Sequence, residues 1–351
     1  MPPGKASNMK ARLIGAAYGL GWTAVCRLPG SWASAAFRTV ADVAWRKQGP
    51  RVRVLEGNLH RVLGPEASGA EIRAHSRAAM RSYARYWLET FRLPVMSQAR
   101  MVTDTVSYGH VEDLLANLAA GRGVVVPLPH MGNWDQAGVW VIGRGAGSFT
   151  TVMERLEPES VYDRFVALRE GIGMEVLPAT GGPSPFGVLA QRLRAGKLVA
   201  LPCDRDVTGN GIEVEFFGEQ ALMMGGPAAL AVQTGAALMP ATLWFEGDDR
   251  WGVRIHEEIP VPAEGDRWQK AAVMTQEIAR VFEQAIREHP ADWHMLQRVF
   301  VSDLDPDRLA AARARVKTRE RGAERNGANG WNNSNAASPA AREDSVAAGE
   351  P

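Results

Sequence analysis

From about residue 121 the apolar positions fall into short runs, at 124–129, 149–153, 174–178, 198–203, 238–245 and 252–259. Between them lie stretches with helical patterning, at 158–170, 185–195 and 227–234. Short apolar runs alternating with helices predict an α/β sandwich, a mixed and largely parallel sheet flanked by helices. Gly171, Gly196 and Gly235 stand where helix C-caps are expected. Residues 1–118 read as mostly helical and amphipathic, and a further long helix is expected over about 266–288. After about Arg315 large apolar residues nearly vanish, Trp331 excepted, so a disordered tail is expected over 316–351. The organisation expected is one domain over 1–315, with a helical, membrane-facing portion (1–118) and an α/β core (119–300).

The chain has 351 residues and a net charge of +1, which hides an asymmetry. Residues 1–53 carry nine Lys or Arg against the single Asp42, among Trp22, Trp32, Phe37 and Trp45. Cations interleaved with aromatics on amphipathic helices suit an anionic membrane surface. The apolar stretch from about Leu13 to Cys26 is short and glycine-rich for a spanning helix, and it lacks the features of a secretory signal. Arg73, Arg77, Arg81 and Arg85 recur every four residues and share a helix face, which could hold lipid phosphates or simply be solvated. No zinc-finger, RNP-type or helix-turn-helix pattern accompanies these basic residues, so nucleic acid is not an expected partner. Cys26 and Cys203 offer neither a disulfide framework nor a zinc pattern.

The candidate chemistry sits where the first apolar run ends. Val124–Val126 is β-branched, Pro127 and Pro129 stop the strand, His130 follows, Gly132 frees a turn, and Asn133 can cap a helix from Trp134. Asp135 stands five residues after His130 and could meet it across that turn, though an incidental histidine beside a capping Asp is the plain alternative. Sites in open α/β sheets gather at the carboxyl ends of strands. The 198–203 run ends in Asp204-Arg205-Asp206, which would add a carboxylate if that strand were a neighbour. Competing chemistry is thin. The Gly19-Leu20-Gly21-Trp22-Thr23-Ala24 stretch fits a loose dinucleotide pattern without its strand, and there is no phosphate-binding G-x-x-x-x-G-K-[ST] loop. Gly182-Pro183-Ser184-Pro185-Phe186 fails as a serine elbow, and the remaining histidines form no metal-ligand pattern. Attack by a substrate hydroxyl with His130 as base is the simplest chemistry left.

Pro129-His130-Met131-Gly132-Asn133-Trp134-Asp135 resembles the H-x4-D block of the bacterial lipid A biosynthesis acyltransferase family, most closely its phosphatidylinositol mannoside branch. Further blocks agree in order: Thr151–Leu156, Cys203–Asp206, Gly211–Glu219, Gly235–Leu238 and His289–Gln297. The resemblance spans roughly residues 10–300. It implies an α/β sandwich with a hydrophobic acyl groove, lying on the cytoplasmic face of the inner membrane. It also implies transfer of a long acyl chain from acyl-CoA, a co-substrate, to the mannose 6-hydroxyl of a mannosylated phosphatidylinositol, with no metal or other cofactor required.

Carried over by position, the resemblance makes His130 the general base, Asp135 its orienting partner and Asp204 the third carboxylate, where relatives carry a Glu one methylene longer. Arg169 resembles a donor-contacting arginine, although helix patterning alone leaves Arg164 equivalent to it. Glu154, Arg205, Asn210 and Gln233 are the remaining substrate-binding candidates, the last two not of the family's usual residue type. Oxyanion stabilisation would come from backbone N–H groups around Met131–Asn133 or from Arg205. The rival expectations are another glycolipid or lysophospholipid acceptor, or a lipid-binding protein without catalysis.

Overall fold

The computed structural model describes residues 5–179, 184–206, 209, 211–306, 309–310 and 313, with the side chains of 5–13 and 17 excluded. Four helices come first: α1 (Lys5–Arg27), α2 (Gly30–Lys47), α3 (Pro50–Leu63) and α4 (Gly69–Arg92). A capping box starts α4, with Ser68 and Glu71 each satisfying the other's backbone N–H. There follow α5 (Gln98–Thr103), β1 (Thr105–Gly109), α6 (Val111–Ala119), β2 (Val124–Leu128), α7 (Trp134–Val141) and β3 (Phe149–Met153). Next come α8 (Glu159–Gly171), β4 (Met174–Pro178), α9 (Phe186–Arg194), β5 (Leu198–Pro202), and the hairpin β6 (Ile212–Phe216) and β7 (Glu219–Met223). The last elements are α10 (Gly226–Thr234), β8 (Ala237–Leu238), β9 (Ala241–Glu246), β10 (Arg250–Ile255) and α11 (Arg267–Glu288).

The main sheet has the order β4-β3-β5-β2-β8 and is parallel throughout. Every residue of β2 is buried, as a central parallel strand covered on both faces requires. A second sheet, β1-β10-β9, pairs β1 parallel to β10 and β10 antiparallel to β9. The expected α/β architecture is therefore present, with two departures from the pattern of runs. The 238–245 run is broken at Pro240, so that β8 belongs to the main sheet and β9 to the second. Strands β1 and β6–β7 were not anticipated. β1 is short and nowhere buried, and it carries no apolar run; β6 does alternate buried and exposed positions. Gly171 is the last residue of α8 rather than its cap, and Gly173 takes the left-handed conformation instead.

Pro127 sits inside β2, where a proline removes a ladder donor. Val125 O accepts from Met239 N, so residue 127, two further along, turns its main chain to the same side. β8 has ended by then, its pairing limited to Val124 and Val125. The missing N–H therefore lies where no strand asks for it.

The arginine stripe on α4 is met by carboxylates of α2, α3 and α4 itself. Arg73 pairs with Glu56 at 3.0 Å, Arg77 and Arg81 share Asp42 at 2.8 and 2.6 Å, and Arg85 pairs with Glu89 at 2.7 Å. These pairs, not lipid phosphates, take up the guanidinium groups. The Gly19–Ala24 stretch is the interior of α1, and a Cβ at Gly19 would lie 2.7 Å from the Arg164 guanidinium of α8, so Gly19 serves helix packing. The expected tail over 316–351 falls outside the described residues.

Fully buried Asn58 on α3 donates to Met295 O at 2.9 Å and Gln297 O at 3.0 Å, fastening the helical layer to the segment after α11. Replacing Asn58 by Ala strands both carbonyls, so Asn58→Ala is expected to cost about 1–3 kcal/mol for each. Urea unfolding with an unchanged slope would check it.

Candidate functional site

The turn after β2 is built by its own residues. Gly132 adopts φ +58°, and a Cβ there would lie 2.7 Å from the Leu243 main chain, so only glycine fits. Asn133 caps α7, its side-chain oxygen accepting from Gln136 N at 3.0 Å. His130 is thus left at the carboxyl end of β2. Strand β5 lies alongside in register, Leu128 opposite Pro202, and Cys203 N donates to Leu128 O at 3.0 Å. The next residue, Asp204, is therefore delivered to the imidazole.

Asp204 is fully buried, and both its oxygens accept hydrogen bonds. Oδ1 accepts from His130 Nδ1 at 2.5 Å, and Oδ2 accepts from His130 N and from Trp293 Nε1, each at 2.9 Å. Burial pushes the Asp204 carboxyl up, but the His130 charge, its hydrogen bonds and the Trp293 indole together hold it below the usual carboxylate range. An ionised carboxylate only accepts, so Nδ1 carries a proton, and in the neutral form of the ring the lone pair lies on Nε2. Among the described residues Nε2 has no hydrogen-bond partner.

Asp135 does not hold His130, which corrects the expected pairing. Its Oδ1 accepts from Arg169 Nε at 2.7 Å, and its Oδ2 from Arg169 Nη2 at 3.1 Å and Tyr86 OH at 3.2 Å. The reason is helical geometry: neighbouring residues of α7 point about 100° apart. Trp134 takes the face toward His130, ring centroids 5.6 Å apart, and Asp135 is turned to α4 and α8. Burial disfavours the Arg169 charge, but Asp135 outweighs it and raises that arginine's pKa.

Other candidates separate in the same way. Arg205, after β5, and Glu154, after β3, meet at 2.9 Å along the carboxyl edge that holds His130. The Arg205 Nε is buried without a partner. Arg164 is exposed on α8 beside α1, remote from the Asp135 contact that Arg169 makes. Gln233 is near the end of α10, which leads into β8 beside Val124, so it lies at the amino end of the sheet, away from His130. Asn210 is outside the described residues. Of the expected oxyanion amides, Met131 N already donates to Pro129 O and Gly132 N to Asp292 O.

The residues after α11 form a wall that sequence reading noted only as a block. Met131 bridges Trp293, and His294 N donates to His130 O at 2.8 Å. The buried His294 ring contacts Ser82 Oγ at 2.8 Å, and Ser82 donates to Asp292 Oδ1 at 2.6 Å. No periodicity marks these positions; only the density of Trp, His and Asp in 289–294 hinted at them.

An apolar cavity of about 90 Å³ begins behind Trp134, Asp135 and Arg169 and runs between the two sheets, against Leu128, Ala200 and Leu243. The arrangement combines an imidazole held by a buried carboxylate at a strand edge with an apolar cavity behind Trp134.

Residues 5–302 match the family described as bacterial lipid A biosynthesis acyltransferase. The chain is 46% identical over 295 residues to the phosphatidylinositol mannoside acyltransferase of Mycolicibacterium smegmatis, covering 84% of this chain and 93% of that protein. It is 47% identical over 304 residues to the protein of the same name from Mycobacterium tuberculosis, covering 85% and 92%.

Burial, and then the nearby charge of His130, depress His294 to about 3 from its ordinary value near 6.5. A depressed imidazole binds its proton more readily when unfolded, so stability is expected to fall as pH drops from about 6.5 toward 3. His294→Gln should flatten that fall by up to about 1.4 kcal/mol per pH unit, read from denaturant unfolding across the window. An unaltered slope would contradict the assignment.

Proposed function

The chain belongs to the bacterial lipid A biosynthesis acyltransferase family, and on that footing we propose that it moves a long-chain fatty acyl group from acyl-CoA to the mannose 6-hydroxyl of a phosphatidylinositol mannoside. The observation that carries the mechanism is the His130 Nε2 lone pair, held by the Nδ1–Asp204 bond at the sheet edge. The acceptor hydroxyl gives its proton to Nε2 as its oxygen attacks the thioester carbonyl. Asp204 stays ionised and stabilises the imidazolium that forms. Collapse of the tetrahedral intermediate breaks the C–S bond, and the departing thiolate takes the proton back from Nε2. The neutral imidazole beside the ionised Asp204 is regenerated with no net change in protons. Arg205, whose Nε is unpartnered, is the side-chain donor available for the developing oxyanion.

Asp135 acts at one remove. Its pairing with Arg169 locks α7 against α8 at the mouth of the apolar cavity, where the acyl chain would enter. At about 90 Å³ the void is smaller than the 150 Å³ or so that accepts a benzene ring. A long chain therefore enters by displacing side chains between the layers.

The acceptor is a membrane lipid, and the first two helices supply a surface for reaching it. Leu20 and Trp32 are 74% and 70% exposed, and Ile14, Val40 and Val43 are also largely open, among Arg27, Arg38, Arg46 and Lys47. Apolar tips among cations support peripheral binding to anionic lipid. Among the described residues no helix is long and apolar enough to cross a membrane.

With palmitoyl-CoA and a phosphatidylinositol mannoside, His130→Ala is expected to lower acceptor-dependent thiol release by about 10²–10⁴-fold with an unchanged circular-dichroism spectrum. Thiol release at the wild-type rate would sink the base assignment. Its absence with every glycolipid and lysophospholipid tried would favour lipid binding without catalysis. In a separate assay, Leu20→Ser with Trp32→Ser should reduce co-sedimentation with anionic vesicles while leaving the unfolding midpoint within a few degrees. Full retention on the vesicles would remove these helices from the membrane face.

A further inference from the structure

One arginine beside the His130 wall is left without a carboxylate. On α3, Arg61 meets Asp303 at 2.9 Å, and Asn58 bonds Met295 O and Gln297 O. Arg51 stands seven residues before Asn58, on the same helix face and two turns nearer the amino end. There it comes up to Tyr83 of α4. The Tyr83 ring centroid is 5.3 Å from that of His294 and 6.2 Å from that of Tyr86. Tyr86 leads on to Trp134 at 4.0 Å, and Trp134 to His130 at 5.6 Å. Burial raises the Tyr83 pKa, while Trp87 and the charges of Arg51 and Arg205 oppose the rise, so both guanidinium groups act on one phenol. Arg205 is already paired with Glu154, which leaves Arg51 as the uncommitted charge of the two.

Its position is unfavourable without a partner. Arg51 is half-buried in the first turn of α3, where the helix dipole is positive and disfavours a cation. That turn has no acidic residue, and Gly49 offers its main-chain N–H groups no side-chain cap. Among the described residues the Arg51 side chain makes no hydrogen bond and no ion pair. Arg61 on the same helix has two carboxylates, and each arginine of the α4 stripe has one. A bound anion would offset the guanidinium and the helix end together.

The neighbourhood says which anion. Only Gln48, Gly49 and Pro50 separate Arg51 from Lys47, the last residue of α2, and α2 is the helix that exposes Trp32, Val40 and Val43. A phosphate reaching this point from a bilayer belongs to a lipid held there by its own tails. We propose that Arg51, with the Tyr83 hydroxyl and the start of α3, binds the phosphodiester of the acceptor phosphatidylinositol mannoside. The inference rests on the acceptor reading above. It adds the contact that distinguishes an anionic glycolipid from a neutral one, and it holds the phosphate at α3 while the sugar extends toward His130.

The test measures initial rates with palmitoyl-CoA and a phosphatidylinositol mannoside in vesicles, varying each substrate with the other saturating. Arg51→Gln is expected to raise the acceptor KM by about 10- to 100-fold, the worth of a hydrogen bond to a charged group, with kcat and the palmitoyl-CoA KM unchanged. Arg51→Lys should fall between, because an ammonium keeps the charge without the fork. Tyr83→Phe keeps the ring and should raise the same constant, which serves if Arg51→Gln unfolds; thermal unfolding is checked for each. Arg53→Gln removes an exposed charge from the same helix turn and is expected to leave both constants alone. An unchanged acceptor KM in the folded Arg51 and Tyr83 variants would overturn the proposal while leaving acyl transfer intact. A rise in the palmitoyl-CoA KM instead would assign the site to the phosphates of coenzyme A, and an equal acceptor effect from Arg53→Gln would reduce it to surface charge; either overturns it. Wild-type protein without acceptor-dependent transfer would overturn the acceptor reading as well.

Discussion

A buried carboxylate with hydrogen bonds to both its oxygens holds the His130 edge together. Asp204 is taken wholly out of water, which is tolerable for a charge only when partners replace the lost solvent. Three donors from two distant segments do so: the His130 ring, the His130 main chain and the Trp293 indole. Each constrains something different. The main-chain donor fixes β2 against β5, the indole fixes the segment after α11, and the ring bond chooses the histidine tautomer. Register, wall and tautomer are therefore set by one side chain.

The position of His130 was legible because everything that produces it is local. A β-branched run, two prolines, a glycine that must take positive φ and an asparagine cap lie within ten residues. Its partner was not legible in the same way. Asp135 has the nearer spacing, but a single step along α7 rotates it to Arg169, whereas Asp204 arrives through strand order, β5 being inserted between β3 and β2. Strand order depends on contacts some 70 residues apart and leaves no periodic trace. The cavity was hidden for a related reason, since its walls come from both sheets and several helices. The arginines of α4 show the converse: their periodicity was plain, while the partners that absorb them, Glu56 and Asp42, could be found only in three dimensions.

Two buried polar assemblies divide the labour around the turn. Asp204 holds His130 at the carboxyl edge of the sheet, and Asp135 with Arg169 and Tyr86 braces α7 against α4 and α8. Trp134 lies between them, its ring 4.0 Å from Tyr86 and 5.6 Å from His130, centroid to centroid. The H-x4-D spacing thus brackets a turn in the chain, with one end held by Asp204 and the other by Arg169 and Tyr86.

The proline in β2 has a consequence for the architecture as a whole. Pro127 cannot continue a ladder on the side β8 vacates, and Pro240 carries the chain away to β9. Had both positions offered an N–H, one wide sheet could have zipped closed across the middle of the protein. Instead the seam stays open there, and the void lies along it, against Val126 and Leu128 on one side and Ala241 and Leu243 on the other. An alkyl tail makes no hydrogen bonds, so it can fill a seam whose lips have lost the means to bond each other. Two missing amide hydrogens coincide with a break in the ladder beside that void.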